Sequence, residues 1–358
     1  MPDTAFAASY GEARRRFKGA AAAAGARVTS HIIDATAGIT EEEELAIDVA
    51  AIGPAAAPTV VLSSGIHGVE GFLGSAVQCA VLDQLRDEAR GPDLRYVLIH
   101  AVNPYGFARL RRFNEDNVDL NRNFLDDPAA FAGAPEGYAG LLGFLNPPSP
   151  PPAFELFGLK AAAQILRHGM PSLQRAIASG QYEYPQGIFY GGSAPCQSTR
   201  VVFEHCDDWA GSGDVLHIDF HTGLGPFGAY ELQLTAPADA AALRWYTGAF
   251  GAGHVKPLSA WYPARGLFGA WLQAHFKGRS YRFLGAEFGT YGVVRVLRAL
   301  RAENRAHHYG DPASQAYRAA KAELLECFCP SDAAWRRQVL EGGLSIVAQA
   351  AAALRNRA

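Results

Sequence analysis

The chain is short of net charge, of long apolar runs and of any cysteine framework. Lysine and arginine number 32 against 35 aspartates and glutamates, a net charge of −3. That balance gives no reason to expect nucleic acid as a partner. No run of about 20 apolar residues occurs, so no membrane-spanning helix is expected. The five cysteines (Cys79, Cys196, Cys206, Cys327 and Cys329) are odd in number and lack framework spacing. Cys327-Phe328-Cys329 is too close-set for a zinc ribbon, and no second pair follows it. Reduced thiols in a reducing compartment are therefore expected. Residues 1–24 lack a signal-peptide core, because Arg14-Arg15-Arg16 interrupts them. A cytoplasmic location, with no membrane partner, is the resulting expectation. A Gly-x-Ser-x-Gly elbow is also missing, which argues against a serine hydrolase.

What is present fits a globular α/β protein. The 358 residues are 49% hydrophobic and 19% charged, enough for a sizeable core. Residues 4–24 have the spacing of an amphipathic helix. Residues 28–34 and 45–51 alternate as an antiparallel strand pair. Val60-Val61-Leu62 reads as a buried strand, residues 71–88 as a helix and residues 94–101 as the next strand. Strand, helix and strand at this length form a crossover unit, so the sheet is at least partly parallel. Residues 214–220, 230–235 and 281–288 are further strands, and the tail from about 314 is helical. Residues 146–153 hold five prolines, which forbids regular structure. Residues 154–179 read as helical and 186–193 as a loop. The expectation is one domain over 1–358, with an insert at about 126–195 that covers a cleft. The oligomeric state is left open.

Four segments carry chemistry. In Gly65-Ile66-His67-Gly68-Val69-Glu70, an imidazole and a carboxylate stand three apart just after a strand. Such a pair suits a catalytic zinc, and glycines suit the turn at a strand end, where α/β sheets place ligands. The second segment runs from Asn103-Pro104-Tyr105-Gly106-Phe107 through Arg109, Arg111 and Arg112 to Asn117-Val118-Asp119-Leu120-Asn121-Arg122-Asn123-Phe124. Its arginines can grip a carboxylate at two points. The third contains His217, Asp219 and His221, at even offsets on one strand and so on one face. The fourth is Gly285-Ala286-Glu287-Phe288-Gly289-Thr290, again a carboxylate at a strand end. Two imidazoles and a glutamate leave a fourth zinc position open, the catalytic pattern. A nearby carboxylate can then take a proton from water acidified by the metal.

These segments resemble the zinc carboxypeptidase superfamily, the M14 peptidases, and within it the bacterial DUF2817 branch. The resemblance spans about residues 58–292, and Asn-Val-Asp-Leu-Asn-Arg-Asn-Phe is its most specific run. It implies a three-layer α/β/α fold with a mixed, mainly parallel sheet. It implies one zinc per chain, held by His67, Glu70 and His221, with Asp119 behind His67. It implies that Asn121 and Arg122 bind the substrate's carboxylate and that Glu287 acts as general base. Arg112 would polarise the scissile carbonyl, with Arg109 and Arg111 as open alternatives. The substrate would be a small peptide or an N-acyl amino acid. The aspartoacylase and desuccinylase branch shares the His-x-x-Glu and Asp-Leu-Asn-Arg parts, so deacylation stands beside peptide cleavage. A metal-binding protein without activity is the third reading.

The family's Glu-x-x-Asp-Thr-Gly signature is shortened here to Glu287-Phe288-Gly289-Thr290-Tyr291-Gly292. Its active-site tyrosine has no clear counterpart; Trp271 stands in the region expected for it, and Tyr262 lies earlier. His217 reads as structural, Asp219 as a possible support for the site, and His307-His308 as a solvated helix end. Gly223-Leu224-Gly225-Pro226-Phe227-Gly228 fits a dinucleotide pattern, but a strand and not a helix is expected after it, so no nucleotide site is read there.

Overall fold

The computed structural model describes residues 5–34, 44–88, 93–257 and 264–356. Among them, eight strands form one sheet. They are β1 (Arg27–Ile32), β2 (Ala46–Ile52), β3 (Thr59–Ser64), β4 (Arg95–His100), β5 (Val215–Gly223), β6 (Tyr230–Gln233), β7 (Val255–Lys256) and β8 (Tyr281–Gly289). The sheet order is β1-β2-β4-β3-β5-β8-β6-β7. The central four, β4-β3-β5-β8, are parallel to one another; β1, β2 and β6 each run antiparallel to the inner neighbour, and β7 pairs parallel with β6. β3, β4 and β5 are buried along their whole lengths, as parallel strands covered on both faces must be.

The helices begin with α1 (Tyr10–Ala23), α2 (Gly71–Asp87), α3 (Pro104–Ala108), α4 (Tyr138–Leu145), α5 (Phe157–His168) and α6 (Met170–Ala178). They continue with α7 (Gln197–Ala210), α8 (Ala240–Phe250), α9 (Phe268–His275), α10 (Val293–Tyr309), α11 (Gln315–Phe328) and α12 (Ala333–Arg355). Helices α1, α2 and α12 pack on one face of the sheet, and α7 and α9 on the other. This is the expected α/β/α arrangement. No helix among the described residues is long and apolar enough to cross a membrane.

Residues 154–179 do not form one helix. Gly169, at a φ of 75°, separates α5 from α6. Together with α4 they pack on α10 and α11 in a second apolar cluster that includes Leu141, Leu173, Ile177 and Leu300. Polar contacts fasten this segment. Arg301, 3% exposed, donates to both carboxylate oxygens of Glu155, and Arg305 donates to the Ser149 and Pro150 carbonyls of the proline-rich stretch.

Candidate metal centre

The four chemical segments meet because β4, β3, β5 and β8 are parallel neighbours and their C-terminal ends lie side by side. β3 leads into the turn carrying His67 and Glu70, β4 into α3 and the arginine run, β5 ends near His221, and β8 ends near Glu287. His221 and Glu287 are direct register partners on β5 and β8. Local chemistry fixes each turn. Asn103 caps α3 by accepting from the Gly106 amide at 2.8 Å, and its side-chain amide donates to the Arg112 carbonyl. Gly68 lies so close to Gly106 that a Cβ there would overlap backbone.

His67, Glu70 and His221 are all buried, and each offers one ligand atom within 4.8 Å of the others. The His67 Nδ1 atom is 2.9 Å from Glu70 Oε1, yet it has no hydrogen-bond partner. His221 Nδ1 is 3.2 Å from Glu70 Oε2. Each imidazole turns its other nitrogen to a carboxylate: His67 Nε2 to Asp119 at 3.3 Å, and His221 Nε2 to Asp219 at 2.7 Å. Carboxylates behind ligand histidines hold the N–H outward and leave the other nitrogen's lone pair for a cation. An orphaned imidazole nitrogen facing a carboxylate, in a set of two nitrogens and an oxygen, fits zinc. Arg112 Nη2 also approaches His67 Nε2, at 2.6 Å. That contact asks for the opposite tautomer, whereas Asp119 suits the one that binds metal.

Charges in the site are strongly coupled. Burial would raise the Glu70 carboxyl, but His67 and His221 outweigh it and hold it far below the usual range. Burial likewise opposes ionisation of Asp119, and Arg112 and His67 overcome it. His221 is raised well above an ordinary histidine, because Asp219 and Glu70 outweigh burial. Glu287 goes the other way. Burial, reinforced by the Glu70 charge, pushes it up to about 7, while the Leu224 amide donates to it at 2.8 Å. A carboxylate in that range can exchange protons near neutrality.

A cavity of about 430 Å³ opens onto these groups and is lined by His67, Glu70, Arg112, Asn121, Arg122, His221 and Glu287, among others. Arg112 donates from Nε to Asp119 and sits beneath the Phe189 ring, 5.2 Å from its centroid. Of Arg109, Arg111 and Arg112, it is Arg112 that lines the cavity. Arg111 is fully buried elsewhere, ion-paired to Glu303 at 2.9 Å and bonded to Asn117 and Asn304. Arg122 is 2% exposed and donates to the Ala178 and Asn121 carbonyls. Its guanidinium carries five N–H groups. Asn121 accepts from the Phe268 amide.

Asp219 contacts His221 directly, and His217 is held by Ser63 and Tyr281 away from the ligand atoms, a structural place. Trp271 is locked by Asp126 and stacked on Phe203, so it is not a mobile counterpart of the family tyrosine. Tyr262 lies outside the described residues. His307 and His308 are not a solvated end. They are half-buried, and burial depresses them to about 3 and 4. Nothing in the sequence marks Phe189 as a site residue. Its φ of 58° is unusual for a bulky residue and is the kind of backbone strain found at ligand sites. Helical spacing does not mark the apolar cavity wall either, because it does not separate a wall from a core.

Residues 6–342 match the family described as "Protein of unknown function (DUF2817)". The chain belongs to the DUF2817 family. No curated protein matches it. Among solved structures, bovine thrombin-activatable fibrinolysis inhibitor bound to tick carboxypeptidase inhibitor is similar, with a TM-score of 0.52 at 13% identity, covering 99% of this chain and 98% of that one. Carboxypeptidase A from Helicoverpa armigera gives 0.46 at 13% identity, covering 88% and 73%. Succinylglutamate desuccinylase/aspartoacylase from Rhodobacter sphaeroides gives 0.42 at 17% identity, covering 80% and 65%. The likeness to the bovine structure shows a shared fold: this DUF2817 protein has the same mixed, mainly parallel α/β architecture.

Proposed function

We propose that this DUF2817 protein is a zinc-dependent hydrolase that cleaves an amide bond beside a carboxylate-bearing amino acid. The observation that carries the reading is the convergence of His67 Nδ1, Glu70 and His221 Nδ1, each imidazole backed by a carboxylate, with Glu287 alongside. A zinc ion held there would acidify water toward neutrality and polarise a carbonyl. Glu287 takes the proton from the attacking water and passes it to the departing amine. Arg112 donates to the carbonyl oxygen as negative charge builds on it. Asn121 and Arg122 hold the carboxylate of the leaving amino acid, using Arg122 donors beyond those engaged with Ala178 and Asn121. In the net reaction the C–N bond breaks, the acyl carbon gains a hydroxyl, and nitrogen gains a proton.

A second reading is deacylation of N-acyl amino acids, and the helices α4 to α6 walling the cavity favour it over cleavage of long peptides. Elemental analysis of the purified protein beside His67→Ala tests the metal. A single zinc per chain that the variant loses is the expected result. Zinc retained in full by His67→Ala would overturn the ligand set. A side-by-side assay of N-acyl amino acids and peptides longer than three residues separates the two substrate readings, and brisk cleavage of the long peptides sinks the second.

A further inference from the structure

The cavity has two unlike ends. Every charged side chain lining it belongs to the site already described or touches its ligands: His67, Glu70, Arg112, Arg122, Asp219, His221 and Glu287. The opposite wall comes from the insert helices and α10, with Phe144, Ile165, Leu173, Ile177, Leu297 and Leu300 facing the space. Among the described residues, the polar side chains on the α5 and α6 side of that wall are Gln164 and Gln174. A bound peptide brings one N–H and one C=O per residue, and such groups are costly to bury without partners. Gln233, whose side-chain amide nitrogen is buried without a partner, Thr222 and Thr235 lie toward the sheet; along α5 and α6, two amide side chains cannot satisfy several residues of backbone. A hydrocarbon chain carries no such demand and is drawn in by burial alone.

We propose that the acyl half of the substrate is a long straight aliphatic chain seated between α5–α6 and α10, so that the natural substrate class is N-(fatty acyl) amino acids. This rests on the hydrolase reading for its orientation, with the scissile carbonyl at Arg112 and the chain running toward Leu297 and Leu300. The cavity's preference for the chain does not need the metal.

Calorimetric titration with straight-chain carboxylates from butanoate to tetradecanoate, the acyl products of such substrates, tests the idea in metal-free and zinc-loaded protein. Affinity should tighten by up to about fourfold per added methylene (about 0.8 kcal/mol each) until the chamber is full. Leu297→Trp should shorten the longest chain accepted, and Ile165→Glu should abolish the chain-length dependence; both residues are half-buried, so folding should tolerate either change. Affinity that is flat with chain length overturns the proposal. So does tighter binding of an N-blocked apolar peptide of equal carbon count. Chain-length dependence that persists in protein unable to take up zinc or turn over any substrate upholds the chamber's preference and fails the hydrolase reading alone.

Discussion

The two walls of the cavity are built on different principles. The sheet wall sets ionisable groups at or just past the buried C-terminal ends of strands, with His221 and Glu287 fixed opposite each other by the β5–β8 register and His67 and Glu70 in the turn that follows β3. The helical wall is a set of short helices joined by glycine and proline. It is anchored through Arg301, Arg305 and the Ala178 carbonyl, and leaves Phe154, Leu156, Leu159 and Leu166 in solvent. Rigid strands hold catalytic groups to the tolerance that chemistry needs. Helices packed on the surface can change their lining residues without moving those groups. On the proposed hydrolase reading, the division assigns reaction to the sheet and selection to the insert.

The strongest way to break that assignment is at Glu287. Glu287→Gln keeps the shape of the side chain and its position beside His221 but removes the base. Turnover should fall by roughly 10²–10⁴-fold with bound zinc unchanged. If kcat survives within a few-fold, the sheet wall does not supply the base and the comparison fails at its main point.

Acid should separate the walls next. His100 is fully buried against Phe17 and Ser75, and burial pushes it down to about 4; His217 behaves alike. An unfolded histidine takes its proton near 6.5, so between about 6.5 and 4 the unfolded chain binds more protons. Stability is therefore full above that window and falls as pH drops through it, by on the order of 3 kcal/mol for His100. The insert's Glu155 is shifted down to about 2; burial opposes this, but Arg301 and Lys160 outweigh it. Its contribution is lost only as pH falls from the ordinary carboxylate range toward 2. Urea midpoints should therefore decline from pH 7 to pH 5 in wild type and less steeply in His100→Gln. An equal slope in both would remove His100 from the account.

A smaller effect is expected at Asp219, which supports His221 from behind. Asp219→Asn should weaken zinc affinity by roughly 10–100-fold without abolishing binding. Competition against a chelator measures it. An unchanged affinity would mean that β5 alone orients the imidazole.

Legibility in the sequence follows the same division. β3 reads as a compact apolar run and β4, β5 and β8 as core strands, and His67, Glu70, His221 and Glu287 each stand just past or near the end of one of β3, β5 and β8. Parallel neighbours then bring such positions together with little further information. Among the three arginines, the neighbours Arg111 and Arg112 could not be told apart, because which one enters a cavity depends on the partner Glu303, 192 positions away on α10. Asp219 was only half readable: period two gave its face, but its contact with His221 needed coordinates. The insert was legible as an interruption, from its prolines, and not as a wall. α5 carries Ala161 and Ile165 toward the cavity and Leu159 and Leu166 away from it, and a helix apolar on two sides gives no clean periodic signal.

That outer face gives the smallest expected effect. Leu159 and Leu166 are 67% and 88% exposed, so they bury little apolar surface in the monomer. The double change Leu159→Ser, Leu166→Ser should alter stability by no more than about 0.5 kcal/mol per site. Chain-length selection should be untouched, because neither residue lines the cavity. Thermal midpoints at two protein concentrations, run beside the carboxylate titration, check both points. A large and concentration-dependent loss would mean that this face is covered by another copy in solution. The insert would then be held from outside as well as by Glu155 and Ala178, and its freedom to vary would be smaller than the two-wall division implies.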